Sequence, residues 1–179
     1  MNIFEHLDEL QVDLRRKSPD EIEEKYFNIC SRLAGPDRAN TINQIALNQY
    51  EKELRQGLEQ SIKIAEKQTA RAIYFEYDLD NKWDSAFFIC EEYTPLEDED
   101  DDWASDWSEN VEAPSLEGFG TIYEVDGFDG NDIAIGSTIY LVARTVIAFT
   151  RAYISISHEN SIAVCIAFHG QDPIFRIKE

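Results

Sequence analysis

From Ile133 to Ile156 the chain runs without proline, without a cluster of turn residues and with only two charges, Arg144 and Arg151. No other feature restricts the fold so much. The run is too long for an ordinary strand, so it is expected to form one long helix despite its β-branched residues. A helix apolar on nearly every side has to be surrounded by other elements. Arg144 and Arg151 stand where a bilayer would penalise them, which argues for burial within protein and against a membrane span. Ser137, Arg144 and Arg151 are spaced seven apart and form one polar stripe. A buried arginine needs a carboxylate partner, and the strand acids Glu76, Asp84, Glu91 and Glu92 are expected to supply it.

The flanking sequence supplies the surroundings. Ile3, Phe4, Leu7, Leu10 and Leu14 recur at helical spacing and end in Arg15-Arg16-Lys17, where positive charge suits a helix C-terminus. Ser18-Pro19-Asp20-Glu21 has the form of a capping box with proline at the first helical position. Ile22, Tyr26, Ile29, Cys30 and Leu33 follow on one face, as far as Gly35-Pro36. Thr41-Ile42-Asn43-Gln44 reads as another capping box, opening a third helix that runs to about Gln68 with Ile45, Leu54, Leu58, Ile62 and Ala65 inward. From Ala72 the pattern changes. Ile73 to Tyr77 and Ala86 to Cys90 are aromatic and β-branched, and Asp78-Leu79-Asp80-Asn81 between them is a turn, so these are paired antiparallel strands. Gly118 to Gly130 reads as irregular, and Ile162 to Phe168 with Ile174 to Ile177 as a final hairpin. The expected fold is α+β, a single domain over residues 1–179. Its N-terminal helices (1–70) and long central helix pack on an antiparallel sheet of about four strands (71–179), with an acidic loop over 95–117.

Charge is distributed unevenly. The chain carries a formal net charge of −20, and Glu76 to Asp129 holds nineteen acidic residues against one base, Lys82. Such a concentration creates a directed negative field that attracts a positive partner and repels a polyanion, so nucleic acid is not expected to bind. Glu97, Asp98, Glu99, Asp100, Asp101 and Asp102 are followed by Trp103, Asp106 and Trp107, between Pro95 and Pro114. Adjacent carboxylates alone would keep a loop solvated, but disordered acidic tracts are poor in large aromatics, and tryptophan beside charge is a common interface anchor. Two readings stand: a binding loop, or a solvated loop that packs its tryptophans onto the domain.

Residues for catalysis or metal binding are not in evidence. His6, His158 and His169 are expected at the surface, and no Gly-x-Ser-x-Gly elbow occurs. Cys30, Cys90 and Cys165 are odd in number and set in apolar sequence, as buried free thiols of a reducing compartment are. Neither a Cys-x-x-Cys nor a His-x-x-x-His pair is present, and the stretches Asp78 to Lys82 and Asp126 to Asp132 lack the ligand order of a calcium loop. No catalytic residue, metal or cofactor is assigned. The first residues are charged and lack the features of a secretory signal, so a cytoplasmic location is expected.

With an acidic, tryptophan-bearing segment (Glu97 to Asp102, Trp103, Trp107) on an α+β scaffold without a catalytic signature, the chain resembles in type the immunity proteins that bacteria encode beside secreted or contact-delivered toxins. The resemblance implies a protein that binds a basic toxin domain and occludes it. That group shares no motif, so the partner-binding set (Glu97 to Asp102, Trp103, Asp106 and Trp107) rests on charge and aromatic placement. Two alternatives stay open: a metal-dependent hydrolase with an acidic site, and an adaptor that dimerises through its N-terminal helices.

Overall fold

The computed structural model describes residues 1–156 and 159–179. The element order is α1 (Ile3–Arg16), α2 (Pro19–Leu33), α3 (Pro36–Asn43), α4 (Asn48–Gln68), β1 (Ala72–Asp78), β2 (Asp84–Cys90), β3 (Trp107–Ala113), α5 (Glu117–Asp126), α6 (Asp132–Ile154), β4 (Ala163–Phe168) and β5 (Phe175–Lys178). The class is α+β. The first two helices begin where the sequence places them, with full capping boxes from Asn2 and Glu5 in α1 and from Ser18 and Glu21 in α2. The expected third helix is two. Thr41 lies inside α3, its hydroxyl donating to the Asp37 carbonyl at 2.8 Å, and α4 starts at Asn48. A threonine three residues before a glutamine has the same signature at a helix start and within a helix, where its hydroxyl bonds back one turn.

Helix α6 occupies the centre. Asn131 caps it by accepting the Ala134 N–H at 3.0 Å, and every residue from Gly136 to Phe149 is buried. It is long and apolar enough to cross a bilayer, yet 83% of its apolar window is buried inside the protein. Its polar stripe turns toward the helices, not toward the strands as expected. Ser137 donates to Asp126 at 2.7 Å, and Arg151 reaches Asp20 at 2.7 Å and Glu23 at 2.9 Å. Arg144 meets Glu23 at 3.3 Å and donates to the carbonyls of Ile42 and Ile45 at 2.6 and 3.0 Å. The physical reason is the end of α3. The Ile42 carbonyl in its last turn keeps only a 3.2 Å bond from the Ile45 N–H, the Ile45 carbonyl lies just beyond the helix, and a guanidinium arriving from α6 caps both.

The sheet has five strands in the order β3-β2-β1-β4-β5. The hairpins β1–β2 and β4–β5 are antiparallel as expected, but β1 pairs with β4 in parallel, so the sheet is mixed. A parallel pair needs a crossover, and the chain running through α5 and α6 provides it. Both β3 and α5 fall where the sequence suggests loop or irregular structure. Val111 is the one buried residue of β3, so no apolar alternation marks that strand. Helix α5 carries Gly120 at a close approach, where a Cβ would lie 2.7 Å from Lys82 Cα.

Alternation along the strands gives the sheet two unlike faces. Ile73, Phe75, Tyr77, Phe87, Ile89, Val164 and Ile166 meet the helices in the main core. Ala72, Tyr74, Cys90, Ala163, Cys165 and Ala167 point the other way, into a smaller cluster covered by Trp103 and Ile174. All three cysteines are free and buried. His6, expected at the surface, is only 2% exposed because it lies on the inward face of α1, and burial lowers its pKa. His169 is exposed, and His158 lies outside the described residues.

Candidate protein-binding face

The second face of the sheet is floored by small side chains, Ala72, Cys90, Ala163, Cys165 and Ala167, which leave room for a large one above them. Trp103 fills that room, with Tyr74 at 6.3 Å and Tyr93 at 5.2 Å in edge-on contact. Arg176 of β5 holds the arrangement together. Its guanidinium lies 5.4 Å from the Trp103 ring centre and 5.9 Å from that of Tyr93. One nitrogen pairs with the Asp101 carboxylate at 2.6 Å, and the group donates to the carbonyls of Ile174 (2.6 Å) and Thr94 (3.0 Å). Burial alone would lower the Arg176 pKa; the Asp101 carboxylate outweighs it and raises the value. The second Asp101 oxygen accepts the Ile174 N–H at 2.8 Å. Glu179 adds a further tie, accepting from the Leu96 N–H at 2.9 Å, the Tyr93 hydroxyl at 3.1 Å and Arg15 at 3.1 Å.

The acidic segment is therefore sewn to the domain, and its residues divide into two groups. Asp101 and Trp103 are used internally, Trp103 being 5% exposed. Glu97, Asp98, Glu99, Asp100, Asp102 and Asp106 project into solvent, several of them from short 3-10 turns at Leu96–Asp98 and Asp102–Ser105. Trp107 opens β3 and is 45% exposed. Its ring lies 5.1 Å from Phe88, which in turn lies 6.0 Å from Tyr74, so three aromatic side chains form a row across three strands. One tryptophan is scaffold and the other is surface.

Beside this row is a concavity of about 350 Å³, bounded by Tyr74, Glu76, Phe88, Asp101, Trp107 and Gln171. The Glu76 carboxylate accepts the Tyr74 hydroxyl at 2.8 Å and faces His169 Nδ1 at 3.2 Å. Burial first, and then the Glu76 charge, push the Tyr74 hydroxyl well above its ordinary pKa. Sequence reasoning left Tyr74, Glu76 and Phe88 out of the candidate set. The signal was present in the alternation Ile73-Tyr74-Phe75-Glu76-Tyr77, whose even positions face away from the helices.

Chemically, an aromatic floor edged by carboxylates suits a lysine or arginine side chain, since ring faces attract a cation and carboxylates accept its N–H groups. Among the described residues no three of His, Cys, Asp or Glu converge as a metal site. Burial pushes the Cys30 and Cys90 thiols up to about 12, and Cys165 also upward, so all three stay protonated at neutral pH. Comparison with protein-family models, with curated proteins and with solved structures finds no match.

Proposed function

We propose that this is a binding protein that neutralises a basic partner through the second face of its sheet, in the manner of the toxin immunity proteins it resembles. One observation carries the reading. The Asp101–Arg176 ion pair and the buried Trp103 hold the acidic segment against the domain, so its exposed carboxylates stand at set places beside the Tyr74–Phe88–Trp107 row. Charges already placed lose less conformational freedom on binding than charges on a loose loop. The field of the acidic segment steers the partner in, and a lysine or arginine enters the concavity between Glu76, Asp101 and the rings. On a toxin that handles phosphates, the cations so engaged are the ones that would hold substrate. The adaptor alternative has less to work with, since Leu7, Leu10, Ile22, Tyr26 and Ile29 of α1 and α2 are buried in this chain's own core and, of the apolar residues of α1, only Phe4 and Val12 stand exposed.

The test uses the intact chain and a surface variant, Asp98→Asn, Asp100→Asn, Asp102→Asn and Trp107→Ala together, in which the anchoring Asp101, Trp103 and Arg176 are unchanged and the asparagine placed at position 100 keeps the oxygen that accepts the Asp102 N–H. The intact protein should retain one basic protein from the source cells at low salt and inhibit it after purification. The variant, melting no lower than the intact protein, should bind that protein at least about tenfold more weakly, the loss of more than about 1.4 kcal/mol expected when an exposed anchor and its charges go. Equal affinity for the two forms counts against the reading.

A further inference from the structure

We infer that the open edge of β3 receives an extended, basic segment of the partner as an added strand. The inference rests on the reading of the partner as basic and specifies how it is gripped. β3 is the last strand on its side of the sheet and pairs with β2 alone. Five of its seven residues are exposed. Among the described residues, no backbone or side-chain group other than those of β2 bonds to the peptide groups of β3. The opposite edge is treated differently. β5 is four residues long, lies against α1, and has its Arg176 N–H taken by the Gln11 side chain at 2.9 Å.

Free edges of this length are normally blunted by lysine, proline or a covering element, because they template pairing with other chains. β3 contains neither lysine nor proline, and although the end of α4 lies along its helix-facing side, with Gln68 bonding the Glu109 and Ser108 side chains at 2.7 and 2.8 Å, those bonds leave its outer peptide groups open. A register shift opposite Ile89 and Cys90 disturbs only its first residues and leaves Glu109 to Ala113 regular. What protects it is charge of a single sign: Asp106, Glu109 and Glu112 flank the edge, and the nearest base in sequence before it is Lys82. A second copy pairing edge to edge would set carboxylates against carboxylates, whereas a strand bearing lysine or arginine would meet opposite charge at each such position. Main-chain bonding supplies attraction and the alternate side chains supply selectivity. On the second face, those side chains would continue the row that ends at Trp107.

The experiment uses the full chain and two synthetic valine peptides, seven residues long, with two lysines three positions apart so that one faces each side of the sheet as Glu109 and Glu112 do, one peptide being N-methylated throughout so that it keeps its charges and side chains but has no amide to donate. The unmethylated peptide should bind and slow hydrogen exchange in Glu109 to Ala113, and the methylated one should bind roughly tenfold more weakly or less. Changing Glu109→Lys and Glu112→Lys, both exposed, should transfer the preference to a glutamate–valine peptide. Equal binding of the two lysine peptides, or protection confined to residues 97–106, overturns strand addition and leaves the acidic-face reading standing. Failure of both lysine peptides to bind at low salt overturns the two together.

Discussion

Replacing Arg176 by methionine keeps most of the side chain's length and removes its charge. Asp101 then loses its ion pair in a half-buried setting, and the carbonyls of Ile174 and Thr94 lose their donor. Removing one partner of a buried pair costs about 3–5 kcal/mol, and urea unfolding of Arg176→Met should show a loss of that order. A midpoint unchanged from the wild type would mean that Arg176 does not anchor the segment. The sequence displays Arg176 only as one charge in a short strand, and Asp101 as one of six successive acids. Nothing local distinguishes the carboxylate that turns inward, because its partner is brought to it by β5, more than seventy positions away. The same holds for Trp103 and Trp107. Both stand beside carboxylates in the sequence, and their opposite fates are decided by the small residues of β1 and β4 that make room for one of them.

Among the elements, α6 depends most on a single contact. Glu23 of α2 accepts from both Arg144 and Arg151, and Arg144 is the more buried of the two arginines, at 8% side-chain exposure against 33%. Glu23→Gln should therefore cost about 2–3 kcal/mol, less than a fully buried pair because Glu23 keeps some access to solvent. Arg151→Met should cost about 1 kcal/mol or less. Thermal unfolding of the two variants checks the ranking, and equal effects would show that the stripe acts without Glu23 as its hub. Elements with a strong period were legible: α1, α2, the long central helix and both hairpins follow from apolar spacing and turn residues. β3 was not, because an edge strand with one buried residue carries no alternation to read. The glycines of α5 suggest a breaker, whereas Gly120 in fact permits a close approach to Lys82, and the parallel pairing of β1 with β4 depends on a crossover that no local window contains.

For the whole molecule the controlling quantity is charge. A net charge of −20 repels itself most in the compact state, so added salt should stabilise the fold. Raising sodium chloride from about 0.01 to 0.3 M should lift the melting temperature by several degrees, about 1–2 kcal/mol at the 2–4 °C per kcal/mol usual for this size. The same change should weaken the complex with the basic partner. Opposite responses to one variable mark a surface whose charge serves binding at the expense of stability, and a melting temperature that falls with salt would contradict this. The pairing of Asp101 with β5 also bears on how the protein is made. During synthesis the acidic segment leaves the ribosome well before its counter-ion: Ile174, which bonds Asp101, follows it by 73 residues, and Arg176 comes later still. Until those residues emerge, the carboxylates have no anchor and Trp103 has no guanidinium over it. The negative face thus takes its shape only once β5 is made, and a chain interrupted before β5 would present a loose acidic segment in place of a shaped surface.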